Sequence, residues 1–474
     1  MNRQSAVDAV RHMLQGPRWY EAQRLEVLAA AMRPWTAQEA LSALEIRGVT
    51  STQMQGSLSA LVGLARKSQT NFLPLILDVF GQGLKVDNYL TGDEPDPETG
   101  RRFTAGPWVW WQRNQFGAKQ TGINRAALHY GVSYATVLPS LTADPGDSPA
   151  VHMRGVSPRQ LTALYGEPLE WDPRRGGPVD DAWPIMAMEM KGPMVRLYDE
   201  QNVHFIGVKQ VPQSALGWRD PAYLSVGNFE YIEGRAHQLG VCPVVRFQDR
   251  ILLDGEEQYG IIEPLLTIQE RINETTYEML VAQYWSAFRQ RYVMGWIPKN
   301  QEEALRHAAS DTWYFKDQAV KAGQFDATDL KNYIESKESG LRDLAAVGQV
   351  PAQQLGLSGI SNISEASLAA LEAGKDRKVS EIEASLGESY EQLLRTAAHI
   401  AGDEVAAADF ASEVVWRDAT ARSLAQTVDA LGKLATLLDV PEEILWEDIP
   451  GWTREKVLRA KEARAAAGDP LIEV

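Results

Sequence analysis

The stretch "GQVPAQQLGLSGISNISEA", residues 348–366, decides how this chain is organised. A helical pattern leads into it and Pro351 interrupts that pattern. Gly356, Gly359 and a group of serines and asparagines follow, and a very long helical pattern then begins. Proline cannot continue a helix interior, and glycine admits backbone states closed to other residues, so the spacing predicts a helix stop, a small polar loop and a helix restart. Asn362 with Glu365 three residues on carries a capping-box signature for the restart.

Upstream, "GIIEPLLTIQERINETTYEMLVAQYWSAF" sets Leu265, Ile268, Ile272, Met279 and Phe288 near helical period. Pro264 fits its first turn, where a missing N–H does no harm. About 27 residues at 1.5 Å each give a helix of roughly 40 Å. "RQRYVMGWIPKNQEEALRHAASDTWYFKDQAVKAGQFD" returns to mixed strand and short helix. "ATDLKNYIESKESGLRDLAAVG" is then a second helix, with Leu330, Ile334, Leu341 and Leu344 on one stripe. If the two helices pair antiparallel, the roughly 35 residues between them sit at the tip of a stalk. Downstream, "EASLAALEAGKDRKVSEIEASLGESYEQLLRTAAHI" predicts a helix of about 37 residues and about 55 Å. That length suits an extended assembly better than a small globule. A strand-like "SEVVWRD" follows. The Ala-rich "EVAAADFA" and "KEARAAAG" suit helix or loop, and the tail reads as two or three helices.

Residues 1 to about 70 are helical in pattern, with Leu25, Leu28 and Met32 on one face. "TNFLPLILDVFGQGLKV" is a helix or a strand closed by two glycines, and "TGDEPDPETG" is a loop dense in turn formers. Trp108, Trp110 and Trp111 suit a packed core better than a ligand platform. From 128 to 250 strands dominate. "HYGVSYATVLPS" alternates and ends at Pro139, "MVRLYDEQNVHFIGV" is two strands joined by a polar turn, and "QLGVCPVVRF" is another strand. The fold class is α+β, predominantly helical.

Composition excludes several functions. The chain has 474 residues, room for two or three domains, and is 44% hydrophobic and 23% charged. Its longest apolar runs fall short of the roughly 18 residues of a membrane helix, and "MNRQSAVDAVRHMLQG" has no secretory core, so a protein made and kept in a cytoplasm is expected. The single Cys242 lies in an apolar run and reads as a buried structural thiol. Net charge is −16, from 63 acidic against 47 basic residues, which opposes tight static nucleic-acid binding without opposing passage of DNA. No phosphate loop, nucleophile elbow or zinc-binding HExxH is present; "DALGKLATLL" has a GK and nothing else of the phosphate loop. The seven histidines are scattered. Glu256–Glu257 and Glu442–Glu443 read as solvated surface. No enzymatic activity, cofactor or metal is expected.

The order of these features resembles the portal proteins of tailed bacteriophages, in the gp6-like group of actinobacteriophages. The resemblance rests on "NFLPLILDVFGQGLKVDNYLTG", "WVWWQRNQF", "AALHYGVSYATV", "HQLGVCPVVRF", "EPLLTIQERINETTYEMLVAQYWSAFRQRYVMGW", "VPAQQLGLSGISNISEASLAALEAGKDRKV" and "VVWRDATARSLAQTVDALGKL". The acidic loop 91–98 and the Gly/Arg loop 174–177 match no such pattern. The resemblance implies a portal fold with wing, two-helix stem, clip and helical crown. The wing takes residues 1–260 and 363–418, the latter a long wing helix and strand. The stem takes 261–290 and 326–350, the clip 291–325, the tunnel loop 351–362 and the crown 419–474.

It further implies a dodecameric homo-oligomeric ring at a capsid vertex of the virion, assembled in the bacterial host cytoplasm. Double-stranded DNA passes through its channel during packaging and ejection. The expected partners are the terminase large subunit, a head–tail connector or adaptor protein, and the major capsid and scaffolding proteins, with no membrane. The loop residues expected to face the channel are Gln353, Gln354, Gly356, Ser358, Gly359, Ser361 and Asn362. In the clip, Arg289, Arg291, Trp296, Lys299, Trp313, Tyr314 and Lys316 are the candidates for motor and adaptor contact, with clip-to-clip packing within the ring at least as good a reading of the aromatics. The loop has no lysine or arginine between Gly348 and Glu365; a ring of cations there would grip a duplex through its phosphates. Read locally, the same loop is only a linker. The rival readings are a helical scaffold or adaptor without a DNA channel, a terminase-like ATPase, and a sequence-specific DNA-binding protein.

Overall fold

The computed structural model describes residues 1–46, 58–92, 104–140, 150–165, 171–172, 177–178, 183–252, 258–287, 291–294, 321–324, 329–357, 365–417 and 424–467, apart from 439, 447–448, 450–451 and 453. In chain order its elements are α1 (Arg3–Gln15), α2 (Pro17–Ala31), α3 (Ala37–Ile46), α4 (Leu58–Lys67), α5 (Leu73–Gly81), β1 (Val86–Leu90), α6 (Trp108–Arg113), α7 (Phe116–Tyr130), β2 (Val132–Pro139), β3 (Val151–Val156), β4 (Leu161–Tyr165), β5 (Trp171–Asp172), β6 (Gly177–Pro178), β7 (Pro184–Lys191), β8 (Met194–Tyr198), β9 (Asn202–Val208), β10 (Phe229–Ala236), β11 (Val244–Gln248), α8 (Leu266–Ala287), β12 (Arg291–Met294), β13 (Lys321–Gln324), α9 (Lys331–Gly348), α10 (Glu365–Ala401), α11 (Glu404–Ala407), β14 (Glu413–Trp416), α12 (Leu424–Leu437), α13 (Glu442–Leu445) and α14 (Arg454–Ala467). Helix predominates. The chain divides into two compact units, one of residues 1–82, 122–136 and 154–386, the other of 83–121, 137–153 and 387–474.

In the first unit, Asn2 caps α1 by accepting from the Ser5 N–H at 2.8 Å. Gly16 then ends α1, and Pro17 opens α2 in the first turn, where its lost donor costs nothing. The apolar face of α1, with Val7, Val10, Met13 and Leu14, packs on Val195, Leu197, Ile206 and Phe229 of an antiparallel sheet ordered β10-β9-β8-β7-β4. The polar turn expected between β8 and β9 is present. Asp199 accepts from the backbone N–H groups of Gln201 and Asn202 at 2.8 and 2.6 Å, closing the hairpin. A buried arginine unforeseen from sequence, Arg18 on α2, donates to the carbonyls of Pro158, at 2.7 Å, and Arg159, fastening the helix to the turn before β4.

β2 departs from the expected alternation. It pairs antiparallel with β11, Val244 opposite Thr136 through Gln248 opposite Val132, and Ser133 to Val137 are all buried. A strand covered on both faces loses its period-two signal. Cys242 is fully buried and unpaired, and burial pushes its thiol far above the usual range.

In the second unit, β1 pairs antiparallel with β14, the strand expected from "SEVVWRD". Of the three tryptophans only Trp111 is fully buried. It stacks on Trp108 at 5.0 Å and meets Phe116 at 5.1 Å and Tyr390 at 5.3 Å. The packing reading therefore holds for the cluster, while Trp108 and Trp110 are half-buried. Gln120 secures this core to β1, its Oε1 accepting from the Val86 N–H at 2.8 Å. The segment that read as helix or strand, 70–86, is the helix α5, and β1 begins at its last residue, Val86.

At the start of α3, "TAQE" forms a capping box. The Thr36 N–H donates to Glu39 Oε2 at 2.8 Å, and the Glu39 N–H donates to Thr36 Oγ1 at 3.3 Å. Arg33 grips the same carboxylate at 2.6 and 2.9 Å. Hydrogen bonding from Arg33, then from the Thr36 backbone, lowers the Glu39 carboxyl from 4.5 to about 2. A carboxyl depressed on folding contributes stability above its unfolded value and loses it as pH falls through the folded one. Thermal melts of wild type and Glu39→Gln should therefore differ most above pH 4.5 and converge as pH falls toward 2. A difference independent of pH would refute the assignment.

Candidate functional site

The helix–loop–helix of the opening stretch is built on a hairpin. A 3-10 turn, Glu263–Leu265, carries Pro264 in its first positions and leads into α8. α8 and α9 pack together, tightly enough at Gly340 that an added Cβ would lie 2.9 Å from Ile272 Cγ1. Arg271 and Asp343 bridge the two helices at the surface. Leu265, Ile272, Leu341 and Leu344 are buried as the stripe predicts, but Ile334, farther along α9, is 49% exposed. Between the helices, β12 and β13 pair antiparallel, Arg291 opposite Gln324.

Pro351 is not what ends α9. The helix stops at Gly348, and Gln349 turns left-handed at φ 55°. The Val350 N–H bonds to the Ala345 carbonyl at 3.0 Å and the Gln349 N–H to the Ala346 carbonyl at 3.3 Å. This pair of bonds is a Schellman closure, which satisfies helix carbonyls that otherwise lack donors. Pro351 instead starts a 3-10 turn over Ala352–Leu355. The same closure then recurs: Gly356 is left-handed at φ 80°, Leu357 bonds back to Ala352 and Gly356 to Gln353. Val350, Pro351 and Leu355 are buried. Residues 349–357 are thus an ordered double turn with an apolar underside, where a small flexible polar loop is expected from the sequence.

Lys378, on α10, holds this junction from the other side. Its Nζ lies 3.5 Å from the Gly348 carbonyl at the α9 terminus and 5.0 Å above the Phe80 ring. A cation there complements the negative end of the helix dipole. Burial, then the neighbouring Arg250, lowers its pKa; Asp249 and Glu381 pull the other way. Asp249 is itself fully buried, accepting from Arg250 at 2.9 Å and Gln258 at 3.1 Å.

Of the expected loop residues, Gln353, Gln354 and Gly356 lie on this double turn, whereas Ser358, Gly359, Ser361 and Asn362, and so the capping box, lie outside the described residues. The Oε1 atoms of Gln353 and Gln354 are shut from solvent and have no hydrogen-bond partner among the described residues. Of the clip candidates, Arg291 is on β12, and Arg289, Trp296, Lys299, Trp313, Tyr314 and Lys316 lie outside the described residues, as do most of the loops 91–98 and 174–177. Among the described residues no group of histidine, cysteine or carboxylate side chains could hold a metal ion, and no helix is long and apolar enough to cross a membrane.

The family model "Phage portal protein, SPP1 Gp6-like" matches residues 64–469. The portal protein of Mycobacterium phage D29 is 26% identical over 450 residues, covering 90% of this chain and 84% of that one. That of Mycobacterium phage L5 is 25% identical over 407 residues, covering 82% and 75%. Two solved structures align with most of the chain. A chain from the neck of a native gene transfer agent particle, computed with C12 symmetry, has a TM-score of 0.43 at 12% identity, covering 85% of this chain and 94% of that one. A chain from the neck of the empty particle, computed with C6 symmetry, has a TM-score of 0.42 at 12% identity, covering 81% and 91%.

A left-handed glutamine costs about 1–2 kcal/mol that glycine would not, against about 0.5–1 kcal/mol for glycine's greater unfolded freedom. Gln349→Gly should raise the stability of the subunit by about 0.5–1 kcal/mol in denaturant melts. A loss of stability would show that the Gln349 side chain, and not the turn, matters there.

Proposed function

Since this chain belongs to the SPP1 Gp6-like family of phage portal proteins, we propose that it closes into a ring of twelve copies at one capsid vertex, through which double-stranded DNA enters and leaves. Portal proteins are structural components of the virion; for this chain, the absence of any catalytic activity and assembly in the host cytoplasm belong to the same proposal. The observation that carries the channel reading is the α8–α9 hairpin, whose return helix ends in a double turn without a single cation before the 37-residue α10 begins. Heterologous contacts repeated around an axis give every copy the same inward element. In such a ring the segment 351–362 is the tunnel loop, α8 and α9 form the stem, and 291–325, including β12 and β13, is the clip. The crown is 419–474, with α12 to α14, and the wing is 1–260 with 363–418.

DNA must slide past the narrowest rim in both directions. Phosphates come every ~1.7 Å of duplex axis, and each lysine contact adds about 0.9 to the salt slope of binding. Amides and hydroxyls offer exchangeable hydrogen bonds instead. The clip is the docking site for the terminase large subunit during filling and for the head–tail connector afterwards, with the capsid and scaffolding proteins around the wing.

Negative-stain images of the purified protein should show closed rings with a central hole; a discrete monomer overturns the proposal. Shortening 353–360, or placing two lysines there, should leave ring assembly intact and lower DNA filling, measured separately; unaffected filling removes this loop from the channel rim. Reversing the charge of Lys299 and Lys316 should weaken binding of the packaging motor while rings persist, and unchanged motor affinity removes both from the clip surface.

A further inference from the structure

Beside the double turn, α9 and α10 leave a cleft of about 590 Å³ lined by Arg342, Lys375, Arg377 and Lys378 against a single carboxylate, Glu381. Its uncharged lining includes Ala345, Ala346, Val350, Pro351 and Ala352. Lys378 serves the junction, so three cations remain at the mouth. Arg342 pairs with Glu338 at 3.2 Å and Lys375 with Asp376 at 3.7 Å. Such surface pairs are worth about 0–1 kcal/mol and exchange readily. Arg377 makes no ion pair among the described residues; its Nε donates to the Ala373 carbonyl.

A second feature answers this one. On α8, Glu270, Glu274 and Glu278 are all exposed and stand at four-residue spacing, so three carboxylates form one stripe. Within its own copy Glu274 is already engaged, and Glu270 and Glu274 border a groove with Trp35, Leu44 and Gln69. Ile272 faces Gly340 of α9, and Glu274 lies about 200° further round the helix. The stripe therefore points away from the α9–α10 cleft of its own copy.

We propose that the acidic stripe of α8 in one copy docks into the basic cleft of the next, making Glu270, Glu274 and Glu278 the partners of Arg342, Lys375 and Arg377 across the ring interface. This rests on the ring reading above and names the contact that builds it. The occupant is the α8 ridge because its three carboxylates match the three cations of the cleft in charge and number. A duplex presents its phosphates on a convex surface and meets an exposed ridge of cations more readily than the inside of a cleft. The two patches are different surfaces of one chain, so the contact is head-to-tail, the kind that generates rings.

The test uses the full chain and reads assembly by mass photometry and DNA filling in a packaging reaction. Reversing the stripe (Glu270→Lys, Glu274→Lys, Glu278→Lys) or the cleft (Arg342→Glu, Lys375→Glu, Arg377→Glu) should each raise the protein concentration needed for rings about tenfold or more. Both reversals in one chain should restore assembly. Wild-type rings should also loosen between 0.1 and 1 M NaCl, as the Debye length falls from about 10 to about 3 Å. Circular dichroism of the monomers controls for folding, and neutral Gln versions of the same positions serve where a reversal unfolds the chain. Single reversals that assemble like wild type, or folded double reversals that never assemble, overturn the contact while wild-type rings keep the channel reading standing. Normal rings with poor filling in the cleft variant assign the cations to DNA and overturn it too. A wild type that forms no ring removes the channel reading and this contact together.

Discussion

The arrangement of this chain depends on where the backbone of α9 is forced to stop. A helix ends with carbonyls that have no intrahelical donor. Here they are satisfied by the reversal of the chain itself, through the N–H groups of Gln349 and Val350, and by Lys378 reaching across from α10. The stop fixes where the 3-10 turn begins, and the turn's own closure at Gly356 fixes where the chain leaves it. The course of the chain from Gly348 to Leu357 follows from two left-handed residues, Gln349 and Gly356.

Charge is distributed on the same frame. The chain as a whole is acidic, at −16, yet the segment 348–365 has no cation, and cations gather just beyond it at Lys375, Arg377 and Lys378. Cations on the double turn would face whatever passes it; cations on α10 line a cleft against α9. One stretch thus carries no cation and the next carries three. Lys378 shows why position matters more than count. Half-buried against Phe80 and a helix terminus, with Asp249 and Arg250 beside it, it is committed to the fold. Arg377, on the same helix, has no carboxylate in ion-pair range among the described residues.

Much of the fold was legible because its signals are local and periodic. The 37-residue span of α10, the hairpin of α8 and α9, and the β8–β9 pair all follow from residue spacing and turn chemistry. The capping box at Thr36 and Glu39 was legible too, in the same pattern read at Asn362 and Glu365, and was missed. Other features left no local trace. The stop at Gln349 was misplaced to Pro351 because glutamine carries no left-handed preference, and the stop is made by a pair of backbone hydrogen bonds that no residue type announces. β2 read as alternating because polar Ser133 and Thr136 interrupt its apolar residues, though all are buried against neighbours from elsewhere in the chain.

The sequence by itself determined the element types, their order and the family, because helical period, turn residues and motif order are properties of neighbours along the chain. It also determined that the loop is free of lysine and arginine. Only the tertiary structure decided that this loop begins as an ordered double turn, that Gln353 and Gln354 bury their amide oxygens there, and that Lys378 belongs to the α9 terminus. It alone brought Arg342 into one cleft with Lys375 and Arg377. Those facts depend on which surfaces meet across intervals of tens of residues, and packing sets those meetings where no local periodicity records them.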